Sequence, residues 1–137
     1  MHKYSVSVTH KFRGTGVALV TPFNNDGSID FTGLNKLINH VIDGGVEYLV
    51  AMGTTGESAT LSEQERFEII DFTLAASNGR VPVVGGFGGN NTMEIIHSIQ
   101  RYKSHCSGKK YIDAILIASP YYNKPSQEGI YQHYIAI

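Results

Sequence analysis

Tyr48-Leu49-Val50-Ala51-Met52-Gly53-Thr54-Thr55-Gly56-Glu57-Ser58 joins a short, unbroken apolar run to a loop of glycines and hydroxyls. Apolar residues in sequence without polar alternation suit a strand covered on both faces, as in a parallel sheet. The same kind of run appears at Val17-Ala18-Leu19-Val20, at Val81-Pro82-Val83-Val84 and at Ile112-Asp113-Ala114-Ile115-Leu116-Ile117-Ala118. The interval is about 30 residues, the size of one strand plus its crossover helix.

Between these runs the period becomes helical. Phe31, Leu34, Leu37, Ile38, Val41 and Ile42 share one face, closed by Gly44-Gly45. Ser62-Glu63-Gln64-Glu65 is a capping-box pattern opening a helix that turns Phe67, Ile70 and Leu74 inward and stops at Asn78-Gly79. Asn91-Thr92-Met93-Glu94 opens a third helix, carrying Ile95, Ile96, Ile99 and Tyr102. Ser126 opens a fourth after Pro125, carrying Ile130, Tyr134 and Ile137. Strands alternating with helices place the chain in the α/β class with a parallel sheet. Two architectures accept the pattern: an open doubly wound sheet, or the first four β/α units of a (β/α)8 barrel, which needs about 250 residues in all. The length of 137 residues by itself favours the open sheet. Residues 1–13, with Tyr4, Val6 and Val8 alternating before the breaker Arg13-Gly14-Thr15-Gly16, read as an N-terminal arm ahead of a domain over 14–137.

Composition narrows the function. Hydrophobic residues at 42% and charged residues at 17% exclude intrinsic disorder. Eleven Lys and Arg against twelve Asp and Glu give a net charge of −1, no field for gripping nucleic acid. The single Cys106 excludes an intramolecular disulfide and lacks the companions of a zinc site, so the cytoplasm is the natural compartment. Neither a membrane span nor a signal-peptide core is present. His2, His10, His40, His97, His105 and His133 are scattered without ligand spacing; they read as surface or helix-face residues, and no metal is expected.

Both architectures build their sites at the C-terminal ends of the strands. The amides of residues 53 to 56 and the hydroxyls of Thr54 and Thr55 suit a carboxylate or phosphate, although the same glycines also serve a tight turn with locally satisfied threonines. Gly85-Gly86-Phe87-Gly88-Gly89-Asn90-Asn91 lacks the glycine three residues after Gly88 that a dinucleotide fingerprint requires. These glycines read instead as room for neighbouring loops, and no cofactor is expected. Tyr121 and Tyr122, stiffened between Pro120 and Pro125, suit proton relay or insertion into a partner, or ordinary aromatic packing. No lysine suits a Schiff base: Lys36 and Lys103 lie on helices, Lys109 and Lys110 precede the fourth strand, and Lys124 sits in a polar loop.

Together, Gly16-Val17-Ala18-Leu19-Val20-Thr21-Pro22-Phe23, Gly53-Thr54-Thr55-Gly56-Glu57-Ser58-Ala59-Thr60-Leu61 and Pro120-Tyr121-Tyr122-Asn123-Lys124-Pro125-Ser126-Gln127-Glu128-Gly129 closely resemble the dihydrodipicolinate synthase family. The resemblance runs from about Gly14 onward, and three motifs in order are more specific than any one. It implies a (β/α)8 barrel and a Schiff-base lyase condensing pyruvate with L-aspartate 4-semialdehyde in lysine biosynthesis, working as a tight dimer within a dimer of dimers. By resemblance, Thr55 holds the pyruvate carboxylate, Thr54 joins a proton relay, and Tyr122 is the relay tyrosine that crosses into the neighbouring subunit's site. Ser58, Ala59, Asn90, Glu94 and Tyr121 match a lysine-effector site at the dimer interface. Glu63 and Arg66 depart from it, standing where some members carry histidines, so an effector would meet a different charge arrangement.

The Schiff-base lysine, the second relay tyrosine and the arginine that receives the semialdehyde belong, by the same resemblance, to later parts of the barrel. The chain alone is therefore expected to be inactive, with open sheet edges that promote association. Two other readings remain at this point: a related lyase acting on a sialate or keto-sugar acid, which shares the barrel and the loop, and a non-catalytic open α/β module binding a small anion at Gly53 to Ser58.

Overall fold

The computed structural model describes residues 11–108 and 110–137; most of the arm expected over 1–13, with His2 and His10, and Lys109 lie outside the described residues. The elements run β1 (Gly16–Ala18), α1 (Phe31–Asp43), β2 (Tyr48–Ala51), two 3-10 turns (Thr54–Gly56 and Ser58–Thr60), α2 (Glu63–Ser77), β3 (Val83–Gly86), α3 (Thr92–His105), β4 (Ala114–Leu116) and α4 (Gln127–Ala136). The strands form one parallel sheet in the order β1-β2-β3-β4. A doubly wound sheet reverses direction at a switch point. This sheet never reverses; each strand is laid beside the last, as in consecutive units of a (β/α)8 barrel, and the open-sheet alternative falls.

Burial follows position in the sheet. Every residue of β3 is buried, and so are Leu49 and Ala51 of β2. The expectation that all four strands are covered on both faces fails at the edges: β1 and β4 each have one neighbour, Gly16 and Ala18 are exposed, and Leu116 is 49% exposed. β3 also starts two residues later than its apolar run. Pro82 has no N–H to give a ladder, so only its carbonyl pairs, with Leu49 N at 3.0 Å, while the Val83 amide donates to Asp113 Oδ2 at 2.7 Å. The strand continues instead into Gly85 and Gly86. β4 is shorter than its run, three residues within 112–118.

The helices start where their caps place them. Asp30 accepts from the Gly33 amide at 2.8 Å and opens α1, which buries Leu34 and Ile38. The capping box of α2 is complete: the Glu65 amide reaches Ser62 Oγ and the Ser62 amide reaches Glu65 Oε2. α2 buries Ile69, Thr73 and Ser77 besides Phe67, Ile70 and Leu74, because it packs on α1 as well as on β2 and β3. Asn91 caps α3, whose Tyr102 lies between Phe67 and Phe87 with ring centroids 5.1 and 5.5 Å away. Burial pushes that phenol's pKa up.

α4 corrects two expectations. Tyr134, read as inward-facing, is 45% exposed, whereas His133, read as a surface or helix-face residue, is buried at 3%. His133 Nδ1 lies 2.8 Å from Thr92 Oγ1, which lowers the cost of burying the ring. No helix of the described residues is long and apolar enough to cross a membrane.

Candidate active site

Because the strands are parallel, the loops that follow them gather on one side of the sheet. The loop after β2 is the most constrained. Met52 leaves the strand with φ +59° and Glu57 has φ +56°, both in the left-handed region that non-glycine residues rarely enter. Between them Gly53 to Glu57 wind one 3-10 turn, closed by Gly56 N to Gly53 O and Glu57 N to Thr54 O, each at 3.0 Å. The amides of Thr54 and Thr55 open that turn and have no acceptor within it. Both threonines are exposed, and no hydrogen bond among the described residues engages their hydroxyls. Two amides and two hydroxyls on one short turn form a donor cluster for an anionic group.

The turn is pinned from below. Thr21, just after β1 and 4% exposed, donates its hydroxyl to the Gly56 carbonyl at 2.6 Å. A Cβ on Gly56 would crowd Leu19 O at 3.2 Å and the Met52 methyl at 3.1 Å. The sequence shows Thr21 only within the Gly16–Phe23 motif; nothing in it signals a bond to a residue 35 positions away.

The loop after β4 carries the tyrosines. Asn123 N donates to Tyr121 O at 2.8 Å, closing a three-residue turn around Tyr122, whose φ is +67°. A γ-turn of this hand is rare and strained. Lys124 follows at φ +47°. Of the five described non-glycine residues with positive φ, four lie in these two loops; the fifth, Asn78, ends α2. Strain of this kind concentrates at functional sites. Tyr122 is 90% exposed.

The residues matched to an effector site do not all converge. Asn90 and Glu94 line a cleft of about 160 Å³ with Arg66, Phe87 and Ser98, while Ser58, Ala59 and Tyr121 are not among its walls. Asn90 Nδ2 touches the site's tyrosines only through the Tyr121 carbonyl, at 3.4 Å. Glu94 is already engaged: Arg101 donates to it at 2.7 Å and to both oxygens of Glu63. Among the described residues no three His, Cys, Asp or Glu side chains gather as a metal site. The described lysines, Lys11, Lys36, Lys103, Lys110 and Lys124, are all exposed.

The chain is similar to known proteins over about nine tenths of its length. A 4-hydroxy-tetrahydrodipicolinate synthase of Flavobacterium psychrophilum is 55% identical over 123 residues, covering 90% of this chain and 40% of the relative. The chloride-inhibited dihydrodipicolinate synthase from Acinetobacter baumannii, solved in complex with pyruvate, superposes with a TM-score of 0.83 at 42% identity, covering 91% of this chain and 41% of that one. The enzyme from Cyanidioschyzon merolae with lysine bound gives a TM-score of 0.81 at 36% identity, covering 92% and 42%. The chain thus spans about 40% of the length of the proteins it matches. The superposition extends the sequential parallel sheet to a (β/α)8 barrel of which this chain supplies four units. Since the family model for dihydrodipicolinate synthetases also matches residues 11–137, the chain belongs to the dihydrodipicolinate synthetase family.

Proposed function

We propose that this chain supplies the pyruvate-carboxylate subsite and one proton-relay arm of a 4-hydroxy-tetrahydrodipicolinate synthase. That enzyme is a lyase condensing pyruvate, held as a lysine Schiff base, with L-aspartate 4-semialdehyde. The observation that carries the reading is the strained turn Gly53 to Glu57 after β2, whose exposed Thr54 and Thr55 offer amides without an acceptor in the turn and unengaged hydroxyls. A carboxylate accepts such donors as charge-assisted hydrogen bonds, and donors fixed in advance need no reorganisation during the reaction. The pyruvate complex of the Acinetobacter baumannii relative supports the substrate.

In this reading Thr55 binds the carboxylate through its amide and hydroxyl, and Thr54 passes a proton. Tyr122 is the relay's second member, acting in a neighbouring subunit; its exposure and its strained backbone turn support that role. The working assembly is a tight dimer paired into a dimer of dimers, in the cytoplasm. Asn90 and Glu94, which share a cleft, are the part of the lysine-effector surface gathered within this chain; Ser58, Ala59 and Tyr121 lie outside that cleft and join the surface only at the dimer interface. There Arg101 competes with a ligand ammonium for Glu94, which weakens lysine's hold.

The test is a chimera in which this chain replaces the matching segment of the Flavobacterium psychrophilum synthase. The chimera should condense pyruvate with the semialdehyde, and Thr54→Val and Tyr122→Phe should each remove most of that activity. A folded chimera without activity, or one indifferent to both substitutions, refutes the reading.

A further inference from the structure

We propose that Tyr134 is a positioning residue for Tyr122, acting through the segment between β4 and α4; the proposal rests on the reading of Tyr122 as a relay residue. Tyr134 is 45% exposed, so its ring gains little from burial. Its hydroxyl is instead directed at the segment that leads to Tyr122. It donates to the Ile117 carbonyl at 3.3 Å and lies 3.1 Å from Ser119 Oγ. Both partners precede Tyr122 by five residues or fewer, just past the end of β4.

The far side of the same segment is held by Asn90, whose amide donates to Tyr121 O. That carbonyl also closes the γ-turn with the Asn123 amide. A strained turn persists only where its surroundings over-determine it. Here the restraints come from α4 on one side and from the loop after β3 on the other.

The base from which Tyr134 reaches is itself fixed. The preceding residue, His133, is buried and bonded to Thr92 in the first turn of α3. The two rings meet edge to face with centroids 5.2 Å apart. Adjacent residues of one helix therefore tie down the start of α3 and the segment after β4, and the hydroxyl of Tyr134 is the one that bears on Tyr122.

The experiment is amide hydrogen exchange on the full 137-residue chain, read at Asn123, whose N–H closes the turn. In Tyr134→Phe the Asn123 amide should exchange about fivefold faster or more, the effect of one lost hydrogen bond. The sheet amides of Leu19 and Leu49 should keep their rates. Ser119→Ala, a change in an exposed residue, should accelerate Asn123 to a smaller degree and serves if Tyr134→Phe does not fold. An unchanged Asn123 rate overturns the proposal; so does acceleration that Leu19 and Leu49 share, because it marks general destabilisation. The readout involves no pyruvate, so a positive result stands even if Tyr122 proves to carry no proton, and the two readings fail separately.

Discussion

A side chain on Gly86 would have no room, because the carbonyl oxygen of Met52 occupies its place: a Cβ built there lies closer to that oxygen than the 3.0 Å that real contacts respect. The obstacle is backbone, so it cannot swing aside as a flexible side chain would. The end of β3 and the start of the threonine loop are therefore fitted to each other at a position where Met52 already holds φ +59°. Gly86→Ala should push the loop outward and cost about 1–3 kcal/mol, the range for overpacking a close-packed site. A urea titration would measure it, and an unchanged midpoint would show that the loop yields freely.

Thr21 predicts a second, separable effect. Its buried hydroxyl is the donor to Gly56 O, and valine keeps its shape without the donor. Thr21→Val leaves the carbonyl unpaired and should cost about 1–3 kcal/mol of stability. In the active chimera it should also raise KM for pyruvate, since the 3-10 turn loses its anchor. Equal stability and KM for variant and parent would show that the bond bears no weight.

How far the sequence led can be judged from these loops. β2 lies where its apolar run does, at Tyr48–Ala51, and α2 opens and closes at the residues its caps nominate, because those signals are local. Gly85 and Gly86 read as loop because glycine weakens a strand, yet they belong to β3, where a side chain on Gly86 would meet the Met52 backbone and one on Gly85 the Ile112 side chain. That approach is tertiary and leaves no mark in the local pattern. The burial of His133 is illegible for a related reason: helical period assigns the inward face to Tyr134, and the partner of the His133 Nδ1, Thr92, lies on another helix. The threonine pair was visible as a donor-rich motif, but the strained turn at Tyr122 was not, because tyrosine is a poor candidate for positive φ.

Thr55 is the residue on which carboxylate binding is predicted to depend. Removing a hydroxyl that donates to a charged group costs about 1.5–3 kcal/mol. Thr55→Val in the chimera should therefore raise KM for pyruvate about tenfold to a hundredfold, with a smaller change in kcat, the signature of lost ground-state binding. A fall in kcat at constant KM would instead place Thr55 in the proton transfer, where Thr54 is assigned.

Glu63 gives a pH prediction. Arg101 donates to both its oxygens, at 2.6 and 2.7 Å, and Ser98 adds a bond at 3.0 Å. The Arg101 bonds hold the carboxyl below its ordinary value of 4.5, against the opposing effect of partial burial. A carboxyl lowered by folding contributes stability that is fully present above the unfolded-state value and is lost as pH falls through the folded-state value. Because Arg101 is largely solvated, the contribution at neutral pH is about 1 kcal/mol or less. Glu63→Gln should lower the urea midpoint at pH 7, and the gap to the parent should close as pH falls below 4.5 through the lowered folded-state value. A gap of constant size across that range would remove the ion pair as its cause.

The lysines make the last prediction. A Schiff-base lysine must be desolvated to present a neutral amine to a carbonyl near neutral pH. All the described lysines are exposed; Lys11 is bound to Asp113, and Lys124 lies in the same loop as Tyr122 with water around it. The proposed reading has Thr54 and Thr55 hold pyruvate by its carboxylate, but none of these amines is placed in an apolar site to attack its carbonyl. Incubating the 137-residue chain with pyruvate and borohydride should leave its intact mass unchanged. The chimera under the same treatment should gain one reduced adduct, located by peptide mapping in the segment contributed by the relative. A stoichiometric adduct on this chain would mean that one of its own lysines enters a desolvated site, and the division of labour proposed for the barrel would have to be redrawn.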